Sequence, residues 1–275
     1  MTNGHGTKVR KRDGSLTPLD LDKIHKVVEE ACEGLGGGVS ASQVEMNSGL
    51  QFFDGISTND IQEILIRSAS DLISLETPNY QFVAARLLLY SVYKQVFGSE
   101  WVYGFTSVYD HASRCADLDV YDRDILSKYT EEEWNEINSW IDHDRDMLFT
   151  YAGLRQVVDK YLVQDRSSGD VYETPQYMYI MIAVTLFQNY TENRLDYIKR
   201  YYDAISKHKI NIPTPIMAGV RTPLRQFASC VLVDADDTLD SIFTSDMAIG
   251  RYVAQRAGIG INAGRIRGIN SKISG

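Results

Sequence analysis

From Phe227 onward this 275-residue chain changes texture. Before that point apolar residues recur mostly at helical spacing. Then Phe227 to Val233, FASCVLV, reads as a short apolar strand. Thr238 to Ala257 reads as a helix, and GIGINAGRIR from Gly258 reads as a second strand. Strand, helix and strand in that order open an α/β sheet or barrel, whose parallel strands are normally covered on both faces. One such unit cannot cover both faces, so this segment reads as the edge of an unfinished domain.

Composition narrows the function classes. Hydrophobic residues are 44% and charged residues 24%, enough apolar surface for a real core, so disorder is excluded as the main state. Lys+Arg 28 against Asp+Glu 37 leave a net charge of −9. That balance disfavours general binding to nucleic-acid backbone, although a local basic patch can still hold a small phosphate. The three cysteines, Cys32, Cys115 and Cys230, form no CxxC pair, which argues against a zinc ribbon or a disulfide framework, and no metal site is expected. The N-terminus lacks the apolar core of a signal peptide, and the longest apolar stretch, Met178 to Phe187, is too short to span a bilayer. The expectation is a cytoplasmic chain with no membrane partner.

Residues 8–12, KVRKR, lead into the turn pair Asp13-Gly14 and then SLTPLD, which reads as a hairpin. Asp20 reads as the cap of a first helix, stopped by Gly36-Gly37-Gly38. Ser40 with Gln43 resembles a capping box, Thr58 a third cap, and Thr77-Pro78 the start of a fourth helix with proline at its first position. A basic hairpin and four amphipathic helices thus form one module. The next segment is again mostly helical. Thr130-Glu131-Glu132-Glu133 reads as a helix N-terminus, residues 161–164 and 171–173 as a hairpin, and Pro175 as the start of a buried helix. Ile212-Pro213-Thr214-Pro215 reads as extended.

Several constellations carry both a chemical and a bland reading. Lys8, Arg10, Lys11 and Arg12 beside a turn and a helix N-terminus suit a triphosphate, or form a solvated basic arm. The glycines at 258, 260 and 264 resemble a dinucleotide fingerprint, but they follow a helix and open a strand, so that reading is rejected. Asp142, His143, Asp144 and Asp146 alternate along a helix start and read as solvated or salt-bridged rather than as ligands. Cys230 in an apolar strand reads as a small buried hydrophobe or as a redox thiol.

The segments VRKRDGSLTPLDLDKIH, DGISTNDIQEILIRSA, TPNYQFVAARLLLY, INIPTPIMAGVRTPLRQFASCVLV and QRAGIGINAGRIRG together resemble the N-terminal part of the large (alpha) subunit of class I ribonucleotide reductase, with class Ia nearest. The resemblance spans essentially the whole chain. It implies three parts: an ATP-cone over 7–97, a helical domain over 98–220, and over 221–275 the first strand, helix and strand of a ten-stranded α/β barrel. The fold class is therefore mainly α with α/β.

What the resemblance implies about sites is specific. Lys11, Thr17, Pro18, Leu19, Asp20, Leu21, Asp22, Lys23, Thr58 and Lys94 match the activity site for ATP or dATP. Thr214, Ser229 and Cys230 match the substrate site, Cys230 being the redox-active thiol whose partner cysteine lies elsewhere. Asp237, Thr238, Leu239, Arg267 and Ser274 match the site of the dNTP specificity effector. Gln62 and Ser91 depart from the histidines common in related cones, and Ser274 stands where arginine is common. The 238–257 helix resembles the one that pairs two large subunits.

The implied activity is radical-based reduction of ribonucleoside diphosphates to 2′-deoxyribonucleoside diphosphates. No cofactor is expected in this chain; the di-metal centre and tyrosyl radical belong to a small subunit. Other implied partners are thioredoxin or glutaredoxin and a second large subunit. The radical cysteine, its proton-transfer Asn and Glu, and the C-terminal cysteine pair find no match here. The expectation is a truncated chain or one product of a split gene, as some bacteriophages carry, completed by a companion chain and inactive alone. The rival reading is a nucleotide-sensing regulatory or assembly module without catalysis. A repressor of that kind carries a zinc ribbon, which the cysteine spacing here does not provide.

Overall fold

The computed structural model describes residues 6–11, 14–49, 51–255 and 257–272; Arg12, Asp13 and Ser274, singled out above, lie outside the described residues. Strands β1 (Lys8–Arg10) and β2 (Leu16–Pro18) pair antiparallel, Val9 facing Thr17. Gly14 closes the turn at φ 84°, which a residue without Cβ adopts freely, and its N–H donates to the Lys11 carbonyl at 3.0 Å. Helix α1 (Leu21–Cys32) is capped as expected: the Asp20 carboxylate accepts the Lys23 N–H at 3.2 Å. Then come α2 (Ala41–Gly49), β3 (Ile56–Ser57), α3 (Thr58–Asp71) and α4 (Tyr80–Phe97). Strand β3 lies parallel to β1, and two residues are too few to show a period in sequence.

Several helix starts differ from the sequence reading, each for a local reason. Ser57, not Thr58, caps α3, through a capping box with Asp60. The Ser40–Gln43 box does not form. Both residues are taken by Tyr80, whose hydroxyl accepts the Ser40 N–H at 2.9 Å and donates to Gln43 Oε1 at 2.6 Å. Helix α4 starts two residues beyond Pro78, because the Thr77, Pro78 and Asn79 carbonyls accept from the N–H groups three residues on and form a tight turn first. Nor is α4 amphipathic: it packs against α1 and α3 and also against α7 (Tyr151–Lys160), so its buried residues run round the helix.

The middle of the chain carries α5 (Val108–Asp117), α6 (Glu131–Ser139), α7, α8 (Pro175–Phe187), α9 (Arg194–Ser206) and α10 (Thr214–Gly219), with short 3-10 turns between. Thr130 and Glu133 form a capping box at α6, and Pro175 sits in the first turn of the buried α8. The expected hairpin around Ser167 reduces to a turn with one antiparallel bridge, Gln164 to Val171. The expected extended stretch at 212–215 ends at Pro213, since Pro215 is compatible with the first turn of α10. The acidic run is not wholly solvated: Asp146 is 2% exposed.

A hydrophobic core runs from Val9 through Leu87 and Ile180 to Met217. Outside it stand β4 (Cys230–Asp234), α11 (Leu239–Ala254) and β5 (Gly258–Asn262). The strands pair in parallel, Cys230 beside Gly258 and Leu232 beside Gly260. Strand β4 starts three residues after Phe227, because Gln226 folds back on Ala228, its side chain meeting both main-chain polar groups of that residue. A Cβ at Gly260 would lie 2.7 Å from Leu232 Cδ2, so glycine here admits the neighbouring side chain. The sheet leaves apolar residues bare, with Leu232 89% and Ile261 57% exposed. No helix among the described residues is long and apolar enough to cross a membrane.

Candidate functional site

One cleft of the N-terminal module draws on β1, β2, α1, α3 and α4. Val9 of β1, Ile24 and Val27 of α1, and Ile61 and Leu65 of α3 give it an apolar floor. Lys11, Lys23 and Lys94 bring three cations to it, and Thr17 and Thr58 bring hydroxyls. Pro18, Leu19 and Asp20 complete the β2–α1 side. Eight of the ten residues matched by motif therefore line one cleft; Leu21 and Asp22 are not among its lining residues. Lys23 Nζ lies 3.6 Å from Asp20 on an exposed surface, a weak pair that an anion can displace. Gln62 also lines the cleft, but its amide donates to the Leu87 carbonyl of α4 at 2.7 Å. It is a strut between α3 and α4.

A second, larger cavity of about 1100 Å³ lies where the helical segment meets the strand–helix–strand unit. Thr214 and Ser229 both line it, one from the first turn of α10 and the other from the residue before β4. Lys160 and Arg166 line it as well. The Thr214 hydroxyl lies 3.5 Å from that of Tyr161, which has a pKa held below the usual phenol range, chiefly by this contact. Cys230 follows Ser229 directly and is exposed, so the reading of it as a buried hydrophobe is corrected. The other thiols differ: burial pushes Cys32 up to about 11 and Cys115 up to about 12, which holds both in the thiol form.

The third group gathers at the β4–α11 junction. Thr238 caps α11, its hydroxyl accepting the Ser241 N–H at 3.1 Å. Arg267 Nε donates to the Asp237 carboxylate at 2.6 Å, closing the junction from beyond β5. Leu239 is 71% exposed on the first turn of α11. Asp237, Thr238, Leu239 and Arg267 thus form one surface, with Asp236 paired to Arg265 alongside.

The sequence reading did not single out Glu173 or Arg221, a fully buried ion pair that bonds the Val163 N–H and the Tyr161 and Met217 carbonyls. Both residues sit inside motifs already quoted or next to them. Their pairing joins positions far apart in sequence, so no local spacing announces it.

Three family models match the chain: the ATP cone domain over 7–95, the ribonucleotide reductase all-alpha domain over 147–225, and the ribonucleotide reductase barrel domain over 228–275. The chain is 52% identical to ribonucleoside-diphosphate reductase 1 subunit alpha of Escherichia coli strain K12, over 97% of this chain and 35% of that protein. It is 51% identical to the subunit alpha of Haemophilus influenzae, with the same coverage. Against the subunit alpha of Enterobacteria phage T4 it is 44% identical over 96% of this chain and 34% of that one. The chain spans about a third of the length of the curated relatives it matches.

Proposed function

The chain belongs to the ribonucleotide reductase large-subunit family, and from that premise we propose that it supplies the activity-regulating cone, the helical domain and the first barrel unit of a ribonucleoside-diphosphate reductase. The proposed division is 7–97, 98–220 and 221–275. The observation that carries the reading is the first cleft, where eight motif-matched residues from the β1–β2 turn, β2, the β2–α1 connection, α1, α3 and α4 meet. Its volume, about 170 Å³, is small for a whole nucleotide, so the apolar floor takes the flat base and the lysines at the rim take the phosphates. ATP and dATP are the proposed ligands.

At the second cavity the proposed ligand is a ribonucleoside diphosphate, with Thr214 and Ser229 donating hydroxyl hydrogen bonds to it. Cys230 is the proposed reductant. Its thiol and that of a second cysteine in the remainder of the large subunit close to a disulfide, giving up two electrons and two protons as the 2′-hydroxyl leaves as water. Thioredoxin or glutaredoxin restores the thiols. The small subunit supplies the radical that starts each turnover. Asp237, Thr238, Leu239 and Arg267 form the proposed specificity-effector surface, and α11 the proposed contact with a second large subunit. The proposed location is the cytoplasm. Calorimetric titration of ATP into the chain tests the carrying observation. Saturable binding at one site in the cone is expected, and no binding at millimolar ATP overturns it.

A further inference from the structure

The buried Arg221–Glu173 pair ties together two of the segments that line the second cavity, residues 160–166 and α10, without lining the cavity itself. Arg221 and Glu173 are each 0% exposed. The Arg221 guanidinium grips the Glu173 carboxylate with two nitrogens, Nε at 2.8 Å and a terminal nitrogen in close contact. Its remaining hydrogen bonds go to main chain on opposite sides. One reaches the Met217 carbonyl in α10 at 2.5 Å, and one the Tyr161 carbonyl at 2.9 Å. Glu173 in turn accepts the Val163 N–H at 2.6 Å and the Tyr121 hydroxyl. Thr214 stands on α10, fixed through Met217, and the segment fixed through Tyr161 and Val163 carries Lys160 and Arg166. Arg221 also begins the loop that ends at Ser229.

We propose that Arg221 and Glu173 are positioning residues for the ribonucleotide cavity, setting the separation of the 160–166 segment and α10 and so the placement of Thr214, Val163 and Ser229. The inference rests on the reading of this cavity as the substrate site. Desolvating two charges is costly, and an apolar pair of similar size would pack as well or better. What an apolar pair cannot do is hold two main-chain carbonyls and one N–H from separate segments at fixed spacing. The planar fork of arginine spans these acceptors, whereas a lysine ammonium is a point charge on a flexible stem. Neither residue contacts the reacting atoms. Their effect passes through these two segments.

The test is steady-state kinetics of the complete reductase, with the remainder of the large subunit and the small subunit present, reading KM for CDP and kcat separately. Arg221→Lys keeps the charge and loses the fork; Glu173→Gln keeps the shape and loses the charge. ATP binding at the cone, measured on the same preparations, reports whether each variant is folded. The expected result is a rise in KM of about tenfold or more in both variants, with ATP binding unchanged. Lower melting temperatures with KM within about twofold of the parent would make the pair merely structural and overturn the inference. If Arg221→Lys does not fold, Glu173→Gln alone decides by the same criterion. Thr214→Ala separates the two levels. Raised KM there with unchanged KM in Glu173→Gln sinks this inference alone, while unchanged KM in Thr214→Ala sinks the substrate-site reading and the inference with it.

Discussion

The Tyr93 hydroxyl of α4 donates to the Asp146 carboxylate at 2.6 Å, joining the last helix of the N-terminal module to the helical segment. The Gln176 amide of α8 donates to the other carboxylate oxygen at 2.8 Å. Burial lifts the Asp146 pKa from the ordinary 3.8 to about 7, against the lowering effect of these two hydrogen bonds and with a further push upward from Asp142. Between about pH 4 and pH 7 the folded chain therefore holds a proton that the unfolded chain has released. Folding stability from this residue falls as pH rises through that window and is level above it. Asp146→Asn should flatten the decline, so the melting temperatures of parent and variant, measured from pH 4 to 8, should converge in slope only above pH 7. Parallel curves over the whole range would contradict the assignment.

Lys11→Ala should weaken ATP binding to the chain by about tenfold or more, the loss expected for one charge-assisted bond to phosphate. The substitution removes a side chain from the rim of the cleft and nothing from the core, so the melting temperature should not move. Calorimetry on both proteins checks it, and equal affinities would take Lys11 out of the phosphate contacts.

Leu239, Phe243 and Met247 recur at four-residue spacing along α11 and are 71%, 66% and 53% exposed. Apolar side chains in such a row invite association. Phe243→Glu should shift the chain toward monomer in sedimentation velocity at concentrations where the parent self-associates. An unchanged distribution would place the contact elsewhere.

Much of this was legible in the sequence, and the exceptions have physical causes. Asp20, Thr130 and Pro175 announced helix starts because capping and proline effects act within one turn. Ser40 and Gln43 misled because Tyr80, on another helix, took the same polar groups. The exposure of Cys230 was hidden because its apolar neighbours imply a covered strand, whereas the parallel pair β4–β5 stands outside the core. Thr214 and Ser229 came from motif resemblance, and the cavity joins them. Glu173 and Arg221 had no local signal, since an ion pair between distant segments leaves no period.

The reducing role proposed for Cys230 is the centre of the account, and Cys230→Ser in the complete reductase tests it most directly. The substitution is nearly isosteric and the thiol is exposed at the start of β4, so CDP and ATP binding should stay close to the parent's. Formation of dCDP should collapse, because a hydroxyl cannot close a disulfide and the two electrons have no source. Cys32→Ser and Cys115→Ser, which alter thiols in α1 and α5, are the controls and should keep turnover. A Cys230→Ser enzyme that makes dCDP at the parental rate would contradict the account.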